Sequence, residues 1–237
     1  MRLAKILFFT AIAVACASGA HAALVFNADF AQDGPYEATW PMKPGAVVAV
    51  DIYVSNVPIP GLIAMGFKLS YNAARLEVES AVVDVVNWPT AQFEDWSVSG
   101  EVDLAGWRMA GLGGNNIRLA TVTFRCISEG NSVLTLLKRS EDFDGFVLDC
   151  VSPPCDQESL VLDGDIGTGV TLATILSVTP GDTNGDGIVS LADAILVLQM
   201  LAKLNQGYMH ANADMNNDSV IGLQEVLFIL QKVAAIR

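Results

Sequence analysis

Between residues 23 and 177, apolar and polar positions alternate with a period of two in a series of short runs bounded by Gly, Pro, Asn or Asp. Successive side chains of a strand point to opposite faces, so this alternation predicts half-buried β-strands. The clearest runs are 46–54, 62–71, 76–83, 102–109, 117–126, 132–137, 146–150 and 169–176. Pro58-Ile59-Pro60-Gly61 reads as the turn between the first two, because Pro sets φ and Gly permits a positive φ. Gly111-Leu112-Gly113-Gly114-Asn115-Asn116 lies between two runs and opens no helix, so it reads as a hairpin turn and not as a phosphate loop. No amphipathic helix interrupts these strands, and the pattern predicts an antiparallel sandwich.

Beyond residue 180 the period lengthens to that of a helix. Leu191, Ala194, Ile195, Leu198 and Leu201 form one apolar stripe, and Leu223, Val226, Leu227, Leu230 and Val233 form another. The two stripes are expected to pack on each other across a pseudo-two-fold axis. The fold class expected overall is mainly β with a small all-α part.

Each helix is preceded by a run of oxygen-bearing residues. Asp182, Asn184, Asp186, Ser190 and Asp193 fall at positions 1, 3, 5, 9 and 12 of a calcium loop, with the Ile188 carbonyl at position 7. Ca²⁺ takes six to eight oxygen ligands, and alternate residues of a tight turn present theirs inward. Gly187 at position 6 permits the reversal. The pattern recurs 32 residues later, where Asp214, Asn216, Asp218, Val220 and Glu225 stand on Asp182, Asn184, Asp186, Ile188 and Asp193. Such an internal repeat is two copies of one supersecondary unit. The second loop carries Ser219 at position 6 and Gly222 at position 9, so two Ca²⁺ sites are expected, with the second binding more weakly.

Charge gives these acids a context. The 237 residues include 13 basic and 26 acidic ones, a net −13. With 52% apolar and 16% charged residues there is ample material for a core, which excludes a disordered polyelectrolyte. The acidic excess, with no basic stripe to offset it, argues against nucleic-acid binding. Residues 180–237 hold six acids and three bases, and all six acids occupy loop positions. Two bound Ca²⁺ would change that segment from −3 to about +1.

Residues 1–22 read as an export signal, with basic Arg2 and Lys5, an apolar run and then Ala20-His21-Ala22. The run is shorter than the roughly 20 residues a bilayer requires, and no later stretch is long enough, so no transmembrane segment is expected. Cleavage near Ala22 would leave a secreted or cell-surface protein; lipidation at Cys16 is a second reading. In an oxidising compartment Cys150 and Cys155, flanking Pro153 and Pro154, are disulfide candidates, whereas Cys126 sits in an apolar alternation as a core residue. His210 is the only histidine after the signal, which leaves no ligand set for zinc.

Catalytic chemistry is sparse. Glu94-Asp95 and Glu101 with Asp103 are acid pairs of the kind glycosidases use, but neighbouring surface acids ordinarily serve solvation. Residues 23–177 contain no histidine, so no Ser-His-Asp arrangement forms within them. Trp88, Trp96 and Trp107 read either as core or as a sugar-stacking face, with Trp88 and Trp96 the platform.

Two resemblances follow from these segments. The stretch from Gly45 to Pro58, the stretch from Gly61 to Val78, and Arg118-Leu-Ala-Thr-Val-Thr-Phe-Arg-Cys126 resemble a cohesin, which implies a nine-stranded jelly-roll β-sandwich related to some carbohydrate-binding modules. Two calcium loop-helix halves without entering helices, opening at Pro180-Gly-Asp-Thr-Asn-Gly-Asp-Gly187, resemble a dockerin across 180–237. The dockerin resemblance implies a cohesin-type partner, recognised by Leu191 and Ala192 in one repeat and Leu223 and Gln224 in the other. These lack the Ser-Thr pair of the best-known cellulosomal type. The organisation expected is a signal peptide (1–22), a cohesin-like sandwich (23–177) and a dockerin (180–237). The function expected is non-catalytic extracellular assembly, the sandwich binding a second protein or a polysaccharide. The alternative is a carbohydrate-binding module delivered by its dockerin to polysaccharide breakdown. The presence of both module types also raises self-association.

Overall fold

The computed structural model describes residues 22–139, 145–150, 161–177, 179–184, 188–204, 215 and 221–235. Residues 1–21 of the expected export signal, with Cys16, and also Cys155, His210 and the loop residues Asp186, Asp214, Asn216, Asp218 and Val220 lie outside these. Among the described residues, eleven strands make two sheets. The smaller sheet is ordered β1 (Val25–Asp29), β3 (Val47–Ser55), β8 (Ile117–Cys126), β5 (Leu76–Val83). The larger runs β2 (Thr39–Met42), β11 (Val170–Ser177), β9 (Ser132–Leu137), β4 (Val57–Ser70), β7 (Glu101–Gly114), β6 (Ala91–Asp95), with β10 (Val147–Leu148) also paired to β4. One core lies between them, with Val50, Ile52, Val122 and Phe124 from the smaller sheet and Met65, Phe67, Leu104, Leu134 and Ile175 from the larger. Each of these large side chains contributes roughly 1.5–3 kcal/mol by leaving water.

The runs at 76–83, 117–126 and 132–137 form strands with the expected bounds. Within β8, Leu119 and Ala120 are both buried because the ladder shifts register opposite Ile52 and Tyr53, and such a bulge sets two residues against one. The 146–150 run shortens to the two residues of β10. Three strands carried no clear alternation: β1 and β2 are short, and β6 is an edge strand exposed at every position. The sandwich is also not purely antiparallel, since β2 pairs with β11 in parallel.

Both expected turns are corrected. Pro58–Gly61 lies inside β4, opposite the end of β7, and the chain passes from the smaller sheet to the larger one residue after β3, at Asn56, whose φ is 59°. The prolines cannot donate to a ladder, and they occupy the stretch where the register slips. Gly61 is needed there, because a Cβ would meet the Leu112 backbone nitrogen at 2.5 Å. Likewise Gly111 to Gly114 continue β7, and the turn narrows to Asn115-Asn116. A Cβ on Gly111 would lie 2.2 Å from the Pro60 carbonyl oxygen, so these glycines let two backbones approach.

Trp88 is not part of a platform. Its side chain is fully buried in the core, and its indole N–H donates to the Arg118 carbonyl at 3.2 Å. Cys126 is buried, as its alternation implied, its thiol donating to the Ser128 carbonyl at 3.4 Å, and Cys150 is disulfide-bonded. The acid pairs are engaged structurally: Glu101 pairs with Lys68 at 2.7 Å, Asp103 pairs with Arg139 at 2.7 Å, and Glu94 accepts from the Val83 amide at 2.8 Å.

Two 11-residue helices follow, α1 (Leu191–Leu201) and α2 (Leu223–Val233). No helix among the described residues is long and apolar enough to cross a membrane. Near the junction with the sandwich, Lys232 of α2 lies 3.8 Å from Glu129, and the Thr179 hydroxyl donates to Glu129 at 3.4 Å.

Candidate metal centre and docking face

At the first loop, Asp182 and Asp193 are both buried. Ser190 is the N-cap of α1, and its Oγ accepts from the Ala192 amide at 3.1 Å. Asp193, at the third helical position, reaches back over the loop. Its Oδ1 accepts from the Thr183 amide at 2.9 Å, the Thr183 hydroxyl at 3.2 Å and the Asn184 amide at 3.2 Å. Its Oδ2 accepts from the Ser190 amide at 2.8 Å and the Ser190 hydroxyl at 3.2 Å. Burial pushes this carboxyl up, but the backbone donors of Ser190, Asn184 and Thr183 outweigh it and hold the group below the ordinary aspartate range.

Thr183 is the residue that reading by spacing passes over. Position 2 supplies no ligand side chain in such loops, yet Thr183 is fully buried and clamps Asp193 with both its amide and its hydroxyl. Ile188 presents its side chain to solvent, as a residue serving only through its carbonyl can.

The second loop is described at Met215 and from Ile221 onward. Glu225 is 1% exposed, and its Oε2 accepts from the Gly222 amide at 2.6 Å. Its Oε1 is buried with no hydrogen-bond partner among the described residues. A buried carboxylate oxygen without a donor is costly, and a hard cation would relieve it. With all-oxygen donors and buried acids closing both loops, the residues present fit Ca²⁺.

The helix stripes do not pack as expected. The shared core is formed by Ala194 and Val197 with Val226 and Ile229, supported by Val189 and Ile221. Leu191, Ile195, Leu198, Leu223, Leu227 and Leu230 instead face solvent, Leu223 at 70% and Leu191 at 56%. Helix geometry explains this. Residues advance about 100° each, so an acid at the third position can reach its loop only if the adjoining face turns inward. Asp193, Ala194 and Val197 therefore share the buried face of α1, and Glu225, Val226 and Ile229 that of α2. The leucines on the other flank are left as an exposed apolar ridge. Ala192 and Gln224, next in sequence to Leu191 and Leu223, are exposed as well.

Residues 180–233 match the model of the Dockerin type I domain. No curated protein is significantly similar to the chain in sequence. Among solved structures, it is similar to the sixth cohesin of scaffoldin B from Acetivibrio cellulolyticus, crystallised with a Cel5 dockerin mutant, at 14% identity and a TM-score of 0.45, over 66% of this chain and 100% of that one. It is also similar to a type III cohesin module of the ScaE cell-surface anchoring scaffoldin of Ruminococcus flavefaciens, at 12% identity and a TM-score of 0.49, over 66% and 88% of the two chains. A third is CaCohA2 of Clostridium acetobutylicum, at 14% identity and a TM-score of 0.44, over 65% and 90%.

Proposed function

We propose that this chain is an exported, non-catalytic assembly protein. Its C-terminal segment docks, in a calcium-dependent manner, onto a cohesin-type domain of another protein, while its sandwich engages a second partner. The observation that carries this reading is the leucine ridge on α1 and α2, within the segment that matches the dockerin model. An apolar face of this kind, rimmed by polar residues, marks an interaction site. Asp182, Asn184, Asp186, the Ile188 carbonyl, Ser190 and Asp193 would hold one Ca²⁺, and Asp214, Asn216, Asp218, the Val220 carbonyl and Glu225 a second, weaker one. Ca²⁺ supplies the positive charge that lets these acids be buried together and so couples binding to the fold. Leu191, Ala192, Leu223 and Gln224 would then present the ridge to the partner. Closure of the Cys150–Cys155 loop by a disulfide belongs to the same reading of an exported protein.

Titration of the full mature chain with purified cohesin domains tests the proposal. Binding to at least one in calcium, and its loss in chelator, is the expected result; no binding to any in calcium would discard it.

Exposed Phe93 and Trp96, on and beside edge strand β6, support a second reading in which the sandwich binds polysaccharide. Co-sedimentation with insoluble polysaccharide, compared between the parent chain and Trp96→Ala, separates it from protein docking.

A further inference from the structure

On the outer face of the smaller sheet, two tyrosines and an arginine gather around a buried carboxylate. Asp51 and Tyr53 of β3 alternate with the core residues Val50, Ile52 and Val54, and Arg118 of β8 stands between the core residues Ile117 and Leu119. Their side chains therefore share the face turned away from the core. Tyr53 and Arg118 are cross-strand partners. The segment between β1 and β2 folds over this face. Its Gln32 donates from Nε2 to Asp51 Oδ1 at 3.3 Å, and the Tyr36 ring lies 5.6 Å from that of Tyr53, tilted by 49°. The Tyr36 hydroxyl donates to Asn116 Oδ1 at 2.8 Å, which ties the segment to the turn between β7 and β8.

Arg118 is fixed in place. Its Nη1 pairs with Asp51 at 3.2 Å and its Nε with Asp84 at 3.0 Å; both carboxylates are buried, whereas the arginine side chain is 40% exposed. A planar fork held in this way loses little freedom on binding. Its Nη2 group and the Tyr53 hydroxyl have no hydrogen-bond partner among the described residues. Burial raises both phenols above the ordinary tyrosine range, and Asp29 beside Tyr36 and Asp51 beside Tyr53 add to it, so both stay protonated donors.

We infer that this face binds a neutral, hydroxyl-rich glycan, with a sugar ring against Tyr36 and Tyr53 and its hydroxyls bonded by Arg118 and Tyr53. The site goes beyond both readings above, because it lies on the other sheet from Phe93 and Trp96 and uses neither helix. Its chemistry selects the occupant. An anionic polymer would meet Asp29, Asp51 and Asp84 against a single base and be repelled. A basic group finds these acids already engaged. Asp51 accepts from Gln32 and Thr121 on Oδ1 and from Arg118 on Oδ2, and Asp84 from the Val86 amide on Oδ1 and from Asn87 and Arg118 on Oδ2. Asp29 accepts from the Gln32 and Gly34 amides on its two oxygens. An apolar side chain would bury the guanidinium and the phenol unpaired. A sugar satisfies both demands, its C–H face lying on an aromatic ring while its hydroxyls accept from the fork and the phenol.

Calorimetric titration of the full mature chain with soluble gluco-, xylo- and manno-hexaoses, and with oligogalacturonate and oligolysine of similar length, tests this. At least one neutral hexaose is expected to bind, about tenfold or more tighter than either charged oligomer. Tyr53→Phe keeps the ring and removes only the hydroxyl, so its unfolding temperature is expected to match the parent while its affinity falls about fivefold. Tyr36→Ala, which removes an aromatic ring, is expected to weaken binding about tenfold. Trp96→Ala is expected to stay within about twofold of the parent, since Trp96 follows β6 on the other sheet. Four results would each overturn the inference: no binding of any neutral hexaose, tighter binding of a charged oligomer, parent-like affinity in either tyrosine variant, or a loss in Trp96→Ala as large as theirs.

Discussion

Gly106 lies so close beneath Trp88 that a Cβ on it would sit 2.7 Å from the Trp88 Cβ and 2.8 Å from its Cγ. Neither atom is the far end of a flexible chain, so the indole and β7 would have to move apart. Gly106→Ala is therefore expected to destabilise the sandwich by about 1–3 kcal/mol, the usual result of overpacking. Denaturant unfolding followed by tryptophan fluorescence measures this; a change within error would mean that the loop carrying Trp88 yields freely.

The same tryptophan separates core from surface. Trp88→Ala removes the largest fully buried side chain and a bond to the Arg118 carbonyl, and is expected to cost about 3–5 kcal/mol. Trp96 is 38% exposed, and its replacement by Ala is expected to change stability by no more than about 0.5 kcal/mol. Equal losses for the two variants would contradict this division.

The leucine ridge and the helix core are expected to respond in opposite ways. Ile229→Ala opens the small shared core and is expected to destabilise the helical segment by about 2–5 kcal/mol. Leu191→Asp and Leu223→Asp alter exposed positions, so amide exchange over α1 and α2 is expected to stay at the parent level. Their effect is expected in affinity for a cohesin domain, weakened about tenfold or more as an apolar contact is replaced by a charge. Calorimetric titration reads this directly.

Asp163 provides a pH dependence. Burial raises its carboxyl above the ordinary aspartate value, against the smaller opposing effects of the Phe146 amide, which donates to Oδ1 at 2.7 Å, and of Lys138. A raised pKa means that folding favours the protonated acid. Its contribution is fully present below the unfolded value and is lost as pH rises through the folded one. At neutral pH the ionised form is thus the costlier one. Asp163→Asn keeps an acceptor for the Phe146 amide and removes the charge. Its Tm is expected to exceed that of the parent at pH 7, with the gain vanishing near pH 3; a gain independent of pH would rule out this cause.

Much of the architecture is legible in the chain. Alternation located the long strands, because a strand with one buried face must repeat every two residues. Loop spacing singled out Asp193 and Glu225, which the structure buries in the first turns of α1 and α2. Edge strand β6 was not legible, since a strand exposed at every position has no face to bury and leaves no period. Pro58 to Gly61 misled for a related reason. Turn residues permit a reversal without requiring one, and here β7 approached closely enough to use the glycine.

By itself the sequence determined which side chains share a helix or strand face, because that follows from the period of the backbone alone. Only the tertiary structure decided which faces are covered. Trp88 is core because β7 brings Gly106 beneath it, and Trp96 is surface because nothing comparable reaches it. The leucine stripes are a ridge because Asp193 and Glu225 turn the adjoining faces inward. A one-dimensional pattern records apolarity at each position. Burial depends on what another part of the chain places against it.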